Sequence, residues 1–300
     1  MKGAVIDLGT NTFSLVIFKK EKSHHTVLHT DKSFVNIGEG GINTNRITKK
    51  AMERALFAFH HFMEACRSFE ISTDNIQAVG TSAIRNAENA NEFIDEIQRK
   101  YTIKINVING HQEATLTYKG VRSIHDFKED SSCIMDVGGG STEFIFTRKE
   151  KLEAQESFPI GISRIVQLFD LSDPMTVYDQ EQVIQFLEEQ TADFFTSAKC
   201  TALIGSAGSF ETFYHLIYDR ATYDENTTHD LPIKELKKVL NFLIESSFKE
   251  RDATHWIANY RKSMIHVAAL KTKWVLDQLQ VEQCYFSPAA LKEGVIADCF

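Results

Sequence analysis

The chain says nearly the same thing twice. Val5-Ile6-Asp7-Leu8-Gly9-Thr10-Asn11-Thr12 leads into the apolar run Leu15-Val16-Ile17-Phe18. A domain's length later, Ile134-Met135-Asp136-Val137-Gly138-Gly139-Gly140-Ser141-Thr142-Glu143 leads into Phe144-Ile145-Phe146. Each copy predicts a buried strand ending in an aspartate, a tight turn of small residues, and a second strand. Such a turn offers backbone N–H groups and hydroxyls to an anion, while its aspartate suits a divalent metal or an oriented water. One copy alone reads equally well as a hairpin with a polar tip. Two copies imply a duplicated fold whose turns face one phosphate-bearing ligand across a cleft.

Bulk properties narrow the classes further. Three hundred residues, 43% hydrophobic and 25% charged, describe an ordinary globular chain of about two domains. No apolar run approaches the roughly 18 residues of a membrane span. The N-terminus enters a strand without the basic-then-apolar layout of a secretory leader, so a cytoplasmic location is expected. Cys66, Cys133, Cys200, Cys284 and Cys299 are scattered without a CxxC pair, which fits reduced thiols and no zinc site. His24, His25, His29, His60 and His61 lack supporting ligand spacing and read as packed or surface residues; His111, close to Glu113, is the exception. A net charge of −8 argues against general nucleic-acid binding but leaves room for a local cationic cleft. The basic pairs Lys49-Lys50, Lys237-Lys238 and Arg261-Lys262 read as solvated faces.

Hydrophobic periodicity places strands at 3–9, 13–19, 25–30 and 33–38, then a Gly-rich turn at Gly38–Gly41. A helix follows over about 48–69, with Met52, Leu56, Phe59, Met63 and Cys66 on its apolar face. A strand at 77–80, a helix over 87–100 with Phe93, Ile94 and Ile97 inward, a strand at 103–108 and a helix over 111–123 complete the first half. The second half predicts strands at 132–137 and 142–148, helices near 161–170 and 179–198, and a strand at 201–205. Helices near 209–219, 234–248 and 263–279, a strand at 281–286 and a last helix at 288–298 follow. Tyr218–Asp230 reads as a polar loop. Strands, then alternating helices and strands, twice over, is an α/β duplication with mixed sheets.

Six segments in order carry a family likeness. Asp7–Val16 resembles the first phosphate motif of the exopolyphosphatase/guanosine pentaphosphate phosphatase family. Gly80-Thr81-Ser82-Ala83-Ile84-Arg85-Asn86-Ala87-Glu88-Asn89 is similar to its GTSA-x-R-x-A-x-N segment. Asn109–Ala114 with Tyr118–Val121 resembles its catalytic segment, and Asp136–Glu143 its D-x-GGGSTE motif. Gly205-Ser206-Ala207-Gly208-Ser209 resembles its G-[ST]-x-G-[ST] loop, and Ala290–Val295 its C-terminal ending. The likeness spans nearly the whole chain. It implies two ribonuclease-H-like domains, as in actin, Hsp70 chaperones and sugar kinases, around a central cleft. The expected division is 1–124 and 125–300, with the last helix able to pack back on the first domain and hinge motion gating the cleft. Many relatives carry a further helical region, so the chain reads as a short-form member.

The resemblance implies a hydrolase of terminal phosphates, acting on inorganic polyphosphate or guanosine pentaphosphate with Mg²⁺ or Mn²⁺. Glu113 aligns with the family's catalytic glutamate, and a carboxylate there can orient and deprotonate the attacking water. Outside that context it would read as a solvated helix-start glutamate. Asp7 and Asp136, with Glu143, are the expected metal residues. The expected phosphate cradle is Asn11, Thr12, Gly138, Gly139, Gly140, Ser141 and Thr142, with Gly205, Ser206, Gly208 and Ser209 as a third anion turn. Arg85 is the expected cationic clamp, the alternative being a surface pair with Glu88. Gln112, Thr115 and Ser263 depart from the family pattern. A kinase or ATPase of the same superfold and a non-catalytic phosphate-ligand sensor remain the alternatives, and a homodimer is the default assembly.

Overall fold

Each hairpin seeds a sheet. The computed structural model describes residues 1–21, 24–195 and 200–300. In the first half β1 (Lys2–Leu8), β2 (Thr12–Glu21) and β3 (His24–Phe34) form an antiparallel meander. There follow α1 (Lys49–Ser68), β4 (Ile76–Gly80), α2 (Ser82–Asn86), α3 (Ala90–Tyr101), β5 (Ile105–Val107) and α4 (Gly110–Arg122). The second half opens with the meander β6 (Ser131–Val137), β7 (Thr142–Arg148) and β8 (Lys151–Phe158). Next come α5 (Ile162–Leu168), α6 (Val177–Thr191), β9 (Ala202–Ser206), α7 (Ala207–Tyr218) and β10 (His229–Asp230). The chain closes with α8 (Ile233–Glu245), α9 (Phe248–Ala253), α10 (Ile265–Leu279), β11 (Gln283–Phe286) and α11 (Leu291–Cys299).

The first sheet has the order β3-β2-β1-β4-β5. Read from its other edge, the second runs β8-β7-β6-β9-β11, with β10 added antiparallel to β11. In both, the first three strands are antiparallel and the last two join in parallel. This is the ribonuclease-H-like arrangement, built twice, and register makes the copies equivalent. Asp7 faces Ser14 across the first hairpin, and Asp136 faces Glu143 across the second.

Several element expectations are corrected. The strands expected at 25–30 and 33–38 reduce to one edge strand, β3, because Asp31, Lys32 and Ser33 continue a half-exposed strand instead of turning; it ends at Phe34, and 35–38 are not strand. The helix expected over 87–100 is α3, which begins only at Ala90, and the five-residue α2 before it was not foreseen because so short a helix carries no periodic signal. Strand β8 was not foreseen: its Lys-Leu-Glu-Ala-Gln-Glu pattern is mostly exposed and lacks an apolar face. Expected helix 179–198 is α6 followed by a short 3-10 turn over Ala192–Phe195, and its residues 196–198 lie outside the described residues. Tyr218–Asp230 ends in the short strand β10. On α1, Ala51, Ala55, Phe59, Phe62 and Cys66 are the fully covered residues, while Met52 and Leu56 sit at the margin.

The two closing helices exchange places. Helix α4, at the end of the first half, packs Ala114, Tyr118 and Val121 on Ile134, Ile145 and Ile204 of the second sheet. Helix α11 packs Leu291, Val295 and Ile296 on Val5, Val16 and Val79 of the first. The two helices meet at glycines. A Cβ on Gly120 would lie 1.8 Å from the Ala290 carbonyl oxygen, and one on Gly294 would lie 1.9 Å from that of Leu116. Gly→Ala in an exposed helix stabilises by roughly 1 kcal/mol; here the added methyl meets backbone that cannot rotate aside. Gly294→Ala is therefore expected to lower unfolding free energy by about 2 kcal/mol in urea titration. A neutral or stabilising result would remove the close-packed seam.

Candidate active site

Side-chain alternation sets the floor of the cleft. Asp7 lies on the face of β1 that carries Val5, which α11 covers; Asp136 lies on the face of β6 that carries Ile134, which α4 covers. Glu143 shares the face of Ile145 on β7. At the strand ends these acidic residues pass out from under the helices into a cavity of about 230 Å³ between the two hairpin turns. The turns touch. A Cβ on Gly139 would lie 2.7 Å from Asn11 Oδ1, and one on Gly140 would lie 2.6 Å from Ser82 Oγ and 2.7 Å from Thr10 Oγ1. Glycine there admits close approach of the other half. Ser163 adds a hydrogen bond to Asn11 Oδ1 at 2.5 Å.

Glu113 reaches this floor from the first turn of α4. Asn109 caps the helix by accepting from the Gln112 N–H at 2.8 Å, and the Gln112 side chain accepts from the Asn109 N–H at 2.9 Å. The departure at Gln112 thus preserves the helix start. Thr115 donates to the His111 carbonyl and accepts from Gln155, which also contacts His111, on the side of α4 away from the cleft. Glu113 is only 8% exposed, so it is not a solvated helix-start residue.

Burial raises the Glu113 carboxyl to about 7 although Arg85 opposes the shift, and Asp136 and Asp7 add to it. Arg85 Nη1 donates to Glu113 Oε2 at 2.7 Å and to the Ile108 carbonyl at 3.0 Å. Burial likewise raises Asp7 to about 7, with Lys292 pulling down and Asp136 pushing up. Asp136 and Glu143 are raised by burial too. Thr117 donates to Asp136 Oδ2 at 3.2 Å, and Ser157 to Glu143 Oε1 at 2.6 Å. Four carboxylates crowded in a low-dielectric floor suit a site that receives a cation or a proton.

Among the described residues no three His, Cys, Asp or Glu side chains stand close enough to form a complete metal cage. The donor set nonetheless fits a hard divalent cation. Such ions take one or two protein carboxylates and complete their shell with water and phosphate oxygens. Asp7 Oδ1 is buried without a protein partner, beside the raised carboxyl of Asp136.

Asn11, Thr12, Gly138, Gly139, Gly140 and Ser141 line the same cavity, as do Gly208 and Ser209. Thr142, Gly205, Ser206 and Arg85 do not. Gly205 is a packing residue, since a Cβ there would fall 2.0 Å from the Phe210 ring. Thr142 is held from behind: Lys271 of α10, fully buried, donates to Thr142 Oγ1 at 2.6 Å and to the Ile160 carbonyl at 2.8 Å. The Arg261-Lys262 pair is not a solvated face. Arg261 lines the cavity, and Lys262 is tied to Asp252. Lys292 also lines the cavity, with no ion pair or hydrogen bond among the described residues, and sequence reasoning passed over it within the C-terminal motif. Lys32, Glu211, Tyr223 and Tyr260 were equally missed, because nothing local distinguishes them from surface residues.

The Ppx/GppA phosphatase family matches residues 16–300. A bifunctional 3-dehydroquinate synthase/phosphatase from Fusobacterium nucleatum is 31% identical over 288 residues, which cover 91% of this chain; the match takes in 43% of that relative's length. An exopolyphosphatase 1 from Mycobacterium leprae is 22% identical over 302 residues, covering 99% of this chain and 88% of its own. The crystal structure of an exopolyphosphatase from Cytophaga hutchinsonii superposes with a TM-score of 0.93 at 31% identity, covering 99% of this chain and 96% of that one.

Burial lowers the Lys271 amine to about 7 despite the opposing Glu143 and Asp136. The unfolded chain holds that proton to a higher pH than the folded one, so stability rises as pH climbs from about 7 toward 10. Below that window the penalty of a buried charge is fully present. Lys271→Met is expected to abolish this rise, on the order of 3 kcal/mol in the wild type, when unfolding is followed across pH. Parallel pH curves for the two proteins would refute it.

Proposed function

Because this chain belongs to the Ppx/GppA phosphatase family, we propose that it releases the terminal phosphate of inorganic polyphosphate, of guanosine pentaphosphate, or of both. The observation that carries this reading is the meeting of buried Glu113 with both small-residue turns in one cavity. The turns supply what a terminal phosphate needs, namely approachable backbone and the hydroxyls of Thr10, Thr12 and Ser141. Glu113 supplies the base. Its carboxylate takes a proton from a water placed in line with the scissile P–O bond; the water oxygen bonds to phosphorus, and the leaving oxygen departs with the shortened chain. A carboxyl raised to about 7 is well matched to this task near neutral pH.

Arg85 positions Glu113 by its 2.7 Å contact and does not line the cavity, so the cation best placed for substrate is Lys292, which has no partner among the described residues. Asp7 and Asp136, with Glu143 beside them, would hold Mg²⁺ or Mn²⁺. Such an ion, when bound, neutralises phosphate charge and polarises the phosphoryl group. Lys271 keeps the Thr142 end of the turn in place from behind.

Phosphate release is to be measured from short polyphosphate, long polyphosphate and guanosine pentaphosphate, with either metal. Glu113→Gln is expected to lower it by about 100-fold or more. Full activity of Glu113→Gln on every substrate would eliminate the assignment. A base raised to about 7 must lose its proton to work, so kcat/KM rises as pH passes through about 7. Arg85 favours the charged form, so Arg85→Gln moves that rise to higher pH; an unmoved profile would deny Arg85 this positioning role.

A further inference from the structure

One half-buried cation takes no part in water attack at Glu113 and has no carboxylate partner among the described residues. The guanidinium of Arg164, in the first turn of α5, makes three hydrogen bonds, all to neutral oxygens. Its Nε donates to the Gly140 carbonyl at 3.3 Å, and its Nη1 to the Ile42 carbonyl at 3.1 Å and to Asn43 Oδ1 at 3.2 Å. Burial lowers the guanidinium below the usual arginine value, with no described carboxylate opposing the shift. Arg164 does not line the cavity. One end of its planar fork holds the glycine turn of the second half, and the other end holds a loop of the first half.

The rest of α5 completes the pattern. The Ile162 N–H donates to the Gly138 carbonyl at 3.1 Å, and those of Ser163 and Arg164 donate to the Gly139 carbonyl at 2.9 and 3.2 Å. A Cβ on Gly161 would lie 2.3 Å from the Gly139 carbonyl oxygen, so glycine there lets α5 seat on the turn. All three glycine carbonyls therefore point at α5. In a trans peptide the N–H of the next residue points the opposite way. The N–H groups of Gly139, Gly140 and Ser141 are thus turned away from α5, toward the cavity these residues line, and none meets an acceptor among the described residues. Consecutive N–H groups so aligned make an anion nest. Helix N–H groups fix two of its peptides, but among the described residues only the Arg164 side chain holds the Gly140–Ser141 peptide.

The same helix carries a seam between the halves. Asn43 Nδ2 donates to the Arg164 carbonyl at 3.1 Å, Gln167 Nε2 to the Gly38 carbonyl at 3.2 Å, and the Gly40 N–H to Gln167 Oε1 at 2.9 Å. The halves also meet at the far wall of the cleft, where Lys32 and Arg261 both pair with Glu211, but that contact includes none of the glycine carbonyls.

We propose that Arg164 is a positioning residue: it fixes the Gly140–Ser141 peptide for a terminal phosphate and makes that fixing depend on the seating of the first-half loop at Ile42–Asn43. The ligand's identity rests on the hydrolase reading; the coupling rests on the hydrogen bonds. With the loop seated, the guanidinium is held at its far end and the Gly140 carbonyl is held against rotation, so the Ser141 N–H stays aimed into the cavity. With the loop withdrawn, the fork loses two of its three bonds, and a turn of glycines regains its backbone freedom. The nest is then complete only when both halves are docked on α5.

The experiment measures phosphate release from tripolyphosphate, long polyphosphate and guanosine pentaphosphate, and orthophosphate binding by calorimetry. The proteins are wild type, Arg164→Gln, Arg164→Lys, Asn43→Ala and the double variant of Arg164→Gln with Asn43→Ala. Arg164→Gln is expected to lower kcat about thirtyfold with KM within about threefold, and to weaken orthophosphate about tenfold. Arg164→Lys keeps the charge without the fork and is expected to recover less than about threefold of the loss. Asn43→Ala, in an exposed loop, is expected to lower kcat about threefold alone and not at all in the Arg164→Gln background. An Asn43 effect that persists in that background, full recovery by lysine, or unchanged kcat in Arg164→Gln overturns the proposal. So does an activity loss that only follows the loss of folded protein in urea titration. If Arg164→Gln does not fold, Asn43→Ala carries the test, and unchanged kcat and orthophosphate Kd there overturn the coupling. Weaker orthophosphate in Arg164→Gln, with no release by wild type from any substrate, would end the hydrolase reading and keep the positioning role. Release that depends on Glu113 but ignores every Arg164 variant would do the reverse.

Discussion

Each sheet is covered on its inner face by the helix that closes the other half of the chain. Helix α4 lies on β6, β7 and β9, helix α11 on β1, β2 and β4, and they touch through Gly120 and Gly294. This exchange decides where the chemistry sits. Had α4 covered its own sheet, Glu113 would stand on the wrong side of the molecule from Asp136 and Glu143. The crossing instead delivers Glu113 and Lys292 to the gap where the inner faces of both sheets run out, and there the strand-end aspartates already point. The backbone contact leaves no slack, so the two helices hold one another as well as the sheets.

The price of this arrangement is electrostatic. Asp7, Glu113, Asp136 and Glu143 are all pushed upward by burial, and Asp136 adds to the rise of the other three. The fold meets the crowding with cations set around the carboxylates. Arg85 grips Glu113, Lys271 stands behind Thr142 at reach of Glu143 and Asp136, and Lys292 faces the floor from α11. Only Lys292 is left without a partner among the described residues. A site so loaded with negative charge is poor at receiving a polyanion unless cations from the protein or from solution intervene, which is the physical reason to expect a divalent ion there. The farther wall uses the opposite arrangement, two cations around one carboxylate.

Much of this was readable from local patterns. The doubled strand-aspartate-turn signal locates both hairpins, and the period of two places Asp7 and Asp136 at equivalent registers. Glu113 was legible only through its flanking motif, because a glutamate in the first turn of a helix is by itself the mark of a favourable dipole contact. Strand β8 escaped because an edge strand facing water has no apolar alternation to detect, and β3 was cut in two because its polar stretch mimics a turn. Arg85 illustrates the limit for side chains: its motif position fits a phosphate clamp, yet its guanidinium turns to a glutamate brought in by a helix 28 residues away in sequence.

What the sequence determined by itself was the set of local units: two hairpins with acidic ends, the small-residue turns, a capped helix carrying Glu113, and the duplicated order that joins them. These depend on short-range sterics, hydrogen bonding and alternation, all of which are written in neighbouring residues. The tertiary structure alone decided which helix covers which sheet, which cation pairs with which carboxylate, and which residues of Lys32, Glu211, Arg261 and Lys292 share a cavity with the turns. Those outcomes turn on packing and charge between segments far apart in the chain, where no local pattern constrains the choice.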